Sequence, residues 1–134
     1  MIIYGAVDHR GRPYIRVETP DGHSFLLHVD TGVNGMLVVN RHALYRLGGK
    51  QTVLKDKTIQ NIQLADLSIV EAFVGQVELM WFGRAMLVEI LVTTFIPEVP
   101  PREDEPVGLI GTKMFKECRL VIDYLEKTVE IHRL

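Results

Sequence analysis

Apolar positions alternate with polar ones over short stretches through most of the chain, and turn formers separate those stretches at close intervals. Ile2 to Val7, Tyr14 to Glu18 and His23 to Val29 are the first three. Tyr14, Arg16 and Glu18 alternate with Ile15 and Val17, the pattern of a strand with one face on a core. The runs Asp8-His9-Arg10-Gly11-Arg12-Pro13 and Thr19-Pro20-Asp21-Gly22 between them are built from turn residues. Gly35 to Val39 resumes an apolar, β-branched run. Asn40 then caps a predicted short helix over Arg41 to Leu47, which ends at Gly48-Gly49 and carries Ala43, Leu44 and Leu47 on one face.

Lys50 to Gln63 is weakly patterned. Leu64 to Phe73 and Val77 to Thr93 read as long strands, interrupted at Gly75 and at Phe82-Gly83-Arg84, the latter a hairpin tip. Trp81 and Phe82 read as barrel packing, because no basic cluster accompanies them as a nucleic-acid stacking platform requires. Phe95 to Val107 holds four prolines and the cluster Glu103-Asp104-Glu105, which predicts an exposed loop. Arg119 to Tyr124 and Thr128 to Arg133 flank Leu125-Glu126-Lys127 as a terminal hairpin. There is no internal repeat.

Composition narrows the picture. With 134 residues, 47% of them hydrophobic, and a net charge of −2, the chain suffices for one core and reads as a single domain over 1–134. That charge balance is too even for a nucleic-acid footprint. No apolar run approaches the ~20 residues that span a bilayer, and Met1-Ile2-Ile3-Tyr4 lacks the flank of a signal peptide. A lone cysteine, Cys118, excludes an intramolecular disulfide, fits a reducing compartment and reads as a small buried apolar residue near a helix end. A cytoplasmic protein is expected. His9, His23, His42 and His132 show no ligand spacing with one another or with Cys118, so no metal is assigned.

Two segments carry candidate chemistry. In Val29-Asp30-Thr31-Gly32-Val33-Asn34-Gly35, a tight turn between two apolar runs brings a carboxylate to a strand end, and Gly32 leaves room for another chain to approach. Gly108-Leu109-Ile110-Gly111, followed by Thr112 to Cys118, is an apolar run entering a short helix. Read singly, the first is also an ordinary loop Asp bonding its own backbone. The second is equally a buried strand ending at a Gly helix entry. His28 lies two residues before Asp30 and shares its face on a strand; its plainer role is to point into a neighbouring hydrogen-bonded layer.

Together, in this order and separation, the two segments resemble the retropepsin-like members of the pepsin clan over roughly Ser24 to Ile131. The terminal hairpin is similar to that of bacterial single-domain members and of the retropepsin-like domain of ubiquitin-shuttle proteins. The resemblance implies an all-β fold: a closed, largely antiparallel retropepsin-like β-barrel with one or two short helices. It also implies that Leu109, Ile110 and Gly111 thread behind the Asp30 turn. The implied activity is that of an aspartic endopeptidase acting on peptide or unfolded protein, with no cofactor and with water as the nucleophile. Such chemistry needs two carboxylates sharing a proton. One Asp-Thr-Gly per chain therefore implies a homodimer, with Asp30 from each copy.

By the same resemblance Thr31 braces the two turns against each other and the Gly32 carbonyl holds the substrate backbone. Substrate contact is expected from Asn34, from the lid residues Ala65, Asp66 and Leu67, and from Leu109 and Ile110. Asn34 stands where relatives carry Ser, Thr or Asp, and Thr112-Lys113 where Arg-Asn or Met-Asp is usual, so the ion pair of retroviral enzymes between these places is absent. Leu67 replaces the Gly of the lid tip, which implies a stiffer lid. Two other classes stay open: the same fold as an inactive or latent module for peptide binding or assembly, and an unrelated β-barrel that binds a small ligand.

Overall fold

The computed structural model describes residues 1–43, 52–63, 67–93, 102 and 104–134, with backbone only for 52–58. Its strands are β1 (Ile2–Val7), β2 (Pro13–Glu18), β3 (Ser24–Val29), β4 (Leu37–Val39), β5 (Thr52–Gln63), β6 (Ile69–Trp81), β7 (Arg84–Thr93), β8 (Pro106–Ile110), β9 (Cys118–Asp123) and β10 (Thr128–Arg133). A single 3-10 turn, Thr112–Phe115, stands between β8 and β9.

All ten strands join one sheet in the order β5-β6-β7-β4-β8-β3-β2-β1-β10-β9. Pairing of Glu18 on β2 with Met80 on β6 closes β6, β7, β4, β8, β3 and β2 into a barrel. The alternation along β2 explains its place: Ile15 and Val17 are buried and Arg16 and Glu18 exposed. Phe25, Leu27, Leu37, Leu79, Ile90 and Ile110 fill the interior with no exposed surface. Trp81 packs in this core, as its sequence context predicts.

One crossing positions everything that follows. β8 lies between β3 and β4, parallel to the first and antiparallel to the second, although β5, β6 and β7 separate it from both in the chain. Gly108 makes that insertion possible, since a Cβ there would collide with the Val38 carbonyl.

Several expectations are corrected. Thr52–Gln63 is a long strand, not an unpatterned segment: as the sheet's edge it bonds only β6, so core packing imposes little alternation on it. Gly75 does not interrupt β6 but is buried in mid-strand, paired with both Leu54 and Ile90. Pro106 and Val107 belong to β8, not to a loop; Val107 is buried while Asp104 is exposed. The Phe82-Gly83 tip is a turn in which both residues have positive φ, 51° and 77°. Asn40 does cap the following turn, its side chain accepting the His42 amide at 2.9 Å. The rest of the expected helix, Leu44 to Leu47, lies outside the described residues, as do 94–101 and Glu103.

Candidate active site

The Asp30 turn is built from backbone hydrogen bonds together with one to the Asp30 carboxylate. As β3 ends, the Asp30 amide donates to the Ile110 carbonyl at 3.0 Å, which fixes where the strand stops. The Gly32 amide then donates to Asp30 Oδ1 at 2.9 Å, and the Val33 amide to the Asp30 carbonyl at 3.2 Å. This is a side-chain-stabilised turn of the kind Asp favours. It holds one carboxylate oxygen by an amide.

Behind the turn runs the second motif. The Gly111 amide donates to the Met36 carbonyl at 2.8 Å, and the Lys113 amide to the Gly35 carbonyl at 3.1 Å. Thr112 donates twice to the Val33 carbonyl, from its amide at 3.0 Å and from its hydroxyl at 3.2 Å. A Cβ on Gly111 would sit 2.5 Å from the Gly35 oxygen and 2.7 Å from that of Val33, so only glycine fits this crossing. The expected threading behind the turn is what the structure shows.

Burial divides the sequence-derived site residues into two groups. Thr31, Gly32 and Asn34 are exposed and Asp30 is half-buried, so the turn presents these residues outward. Val33 and Ile110 face inward. Ile110 has no exposed surface and lies in the main core, which corrects its assignment to substrate contact: it supports the turn from beneath. Leu109 is half-buried against the smaller cluster of Val33, Val38 and Leu91.

Of the lid, Ala65 and Asp66 lie outside the described residues. Leu67 is 74% exposed with φ of 68°, the left-handed conformation that glycine adopts freely. The position thus has the backbone geometry of a glycine while carrying a bulky side chain, at a cost of roughly 1–2 kcal/mol.

The sequence did not single out Asp8. Its carboxylate accepts the amides of Arg10 at 2.8 Å and Arg12 at 3.0 Å, and the Arg12 amide above all holds its pKa below the usual value. The other oxygen is 3.4 Å from His28 Nε2. His28 is therefore directed toward the β1–β2 turn, the neighbouring layer. Burial, then the Arg12 guanidinium, pull its pKa down, against the opposing pull of Asp8 and Asp30. Asp8, Arg12, Tyr14 and His28 line an open cleft of about 500 Å³. The signal in the sequence was the spacing Asp8-x-x-x-Arg12, typical of an Asp closing a turn on later amides.

Among the described residues no group of three or more His, Cys, Asp or Glu side chains is placed to hold a metal, and no helix is long and apolar enough to cross a membrane. Compared with known proteins, the chain matches no family model and no curated protein.

Proposed function

We propose that the chain is a retropepsin-like aspartic endopeptidase, active as a homodimer. The observation that carries this reading is the Asp30-Thr31-Gly32 turn, fixed from behind by Gly111 and Thr112 and open on its outer face. A half-buried carboxylate braced in that way, in a turn whose Thr31, Gly32 and Asn34 are exposed, suits chemistry completed by a second copy.

In the dimer the two Asp30 carboxylates lie close enough that both cannot ionise, and they share one proton. The ionised one takes a proton from water, which attacks the peptide carbonyl. The protonated one donates to the carbonyl oxygen; when the tetrahedral adduct collapses, the C–N bond breaks, the leaving amine takes the proton drawn from water, and the hydroxyl proton returns to the dyad. Thr31 braces the paired turns, and the Gly32 carbonyl, Asn34 and Leu109 hold an extended peptide beneath the lid that contains Ala65, Asp66 and Leu67. Backbone pairing gives such a peptide affinity, and alternate side chains enter apolar pockets.

The test is cleavage of a denatured protein by purified chain, with Asp30→Asn as control. Cleavage that vanishes in the mutant supports the proposal. Absence of cleavage from pH 3 to pH 8 by a chain that sediments as a dimer overturns it in favour of a binding or assembly module.

A further inference from the structure

On the far side of the Gly35–Lys113 crossing lies a second cleft, of about 340 Å³, between the β6–β7 hairpin tip and the 3-10 turn. Its floor is sulfur and aromatic: Met36, Met86, Met114, Cys118, Trp81 and Phe82. Trp81 stacks edge-on against Phe82, with ring centres 5.4 Å apart, and tilts against Phe115 at 6.4 Å, so the wall is a fixed aromatic corner. The three methionines opposite are adaptable, as in sites that accept flexible apolar ligands. Burial raises the pKa of Cys118, which keeps it a neutral thiol in this wall.

The rim has the opposite character. Arg84, Lys113, Lys116 and Arg133 surround the floor, against the single carboxylate of Glu117. None of the four cations makes an ion pair among the described residues, whereas Arg102 bonds Glu105 at 2.7 Å elsewhere on the surface. Arg133 lies over the Phe82 ring, 6.0 Å from its centre, which directs a guanidinium along the edge of the apolar floor. An apolar floor of this volume is within the range of small-molecule sites. It is too small for a protein face.

We propose that this cleft binds a medium-chain carboxylate, with its alkyl chain on the Met36, Trp81 and Met86 floor and its carboxylate among Arg84, Lys113 and Arg133. The apolar floor disfavours a bare phosphate or sulfate, and four cations to one carboxylate disfavour a neutral lipid. Met36 connects the cleft to the Asp30 turn: its carbonyl accepts the Gly111 amide and its sulfur lies 3.2 Å from the Glu89 amide. An occupant therefore rests on the segment that leads out of the turn, without touching Asp30.

Trp81 is the chain's one tryptophan; it borders this cleft and also a smaller hollow lined by Met1, Ile3 and Met80, so the Lys113 and Arg133 variants assign its fluorescence change to this cleft. Decanoate, below its self-association concentration, should change that emission saturably; 1-decanol should bind about tenfold more weakly and acetate not at all. Raising sodium chloride from about 0.05 M to about 0.5 M should weaken decanoate binding. Arg133→Gln and Lys113→Gln should each weaken it several-fold, while Arg10→Gln, in the other cleft, leaves it unchanged. Asp30→Asn should bind decanoate like wild type, so the result stands or falls separately from the peptidase reading. An emission that does not saturate, equal binding of decanol, or affinity indifferent to salt in the wild-type protein overturns the proposal.

Discussion

The amide of Asp30 and the carbonyl of Ile110 lie 3.0 Å apart, so the residue that begins the exposed turn is registered directly on the strand inserted beside it. Thr112 and Val33, 79 residues apart in the chain, repeat the connection two steps further on. The carboxylate is thus placed by a remote segment, and disturbing that segment should disturb the chemistry.

Gly111→Ala tests this placement. The added methyl meets two carbonyl oxygens that belong to backbone and cannot rotate away. A loss of about 1–3 kcal/mol in denaturant unfolding is expected, with peptidase activity falling further than stability. An unchanged unfolding midpoint would show that the crossing has slack and that the turn does not depend on it.

On the proposed reading, Asp30→Asn should leave the fold and the homodimer intact and abolish cleavage, since Asn cannot take a proton from water. Mixed dimers hold one carboxylate and should be severely impaired. When wild-type and mutant chains are re-equilibrated, the rate should follow the square of the wild-type fraction. Activity proportional to that fraction, with mixed dimers shown by sedimentation, would mean that each chain works alone.

Acidification should destabilise the protein in two steps. His28 has a folded pKa below its ordinary 6.5, so the unfolded chain binds the proton first; the stability present above 6.5 is lost as pH falls from there through the folded value. Asp8, lowered from 3.8, contributes stability above that value that is lost as pH falls through its folded pKa. His28→Gln should flatten the upper step and diminish the lower only in part, because the Arg12 and Arg10 amides still hold the Asp8 pKa down. Thermal melts of both proteins across pH 3 to pH 8 read this directly, and an unchanged upper step would place the titrating group elsewhere.

On the proposed reading, the peptidase rate should rise as pH falls below neutrality, until unfolding intervenes, because a shared-proton dyad needs one neutral carboxylate. Peptide libraries should show hydrophobic residues on both sides of the cleaved bond. A strict demand for charged residues there, or a rate climbing steadily from pH 5 to pH 9, would require another mechanism.

The barrel strands with one face inward were legible in the sequence because burial imposes alternation, as Ile15 and Val17 show on β2. β5 was not, since an edge strand answers to one neighbour: Ile59 is 52% exposed on it while Ile62 is buried. Gly75 suggests a break only where its amide and carbonyl lack partners, and strands on both sides supply them. For the candidate site, the Asp30 turn and the Gly111 crossing could be read because the two segments, each ambiguous alone, together have the order and separation of a known pair of motifs. The contact of His28 with Asp8 could not, because it depends on how the β1–β2 turn folds back over β3.

The insertion of β8 between β3 and β4 also sets an order of events in time. A ribosome makes β3 and β4 early, yet neither can take its final neighbour until Pro106–Ile110 has been made and has left the exit tunnel. Pairings this distant in sequence close slowly. Until then, the Asp30 amide has no Ile110 carbonyl to meet, and the carboxylate sits on an unanchored loop. The local bonds of the turn can form early, but its anchoring on β8 is completed only after most of the barrel has been synthesised.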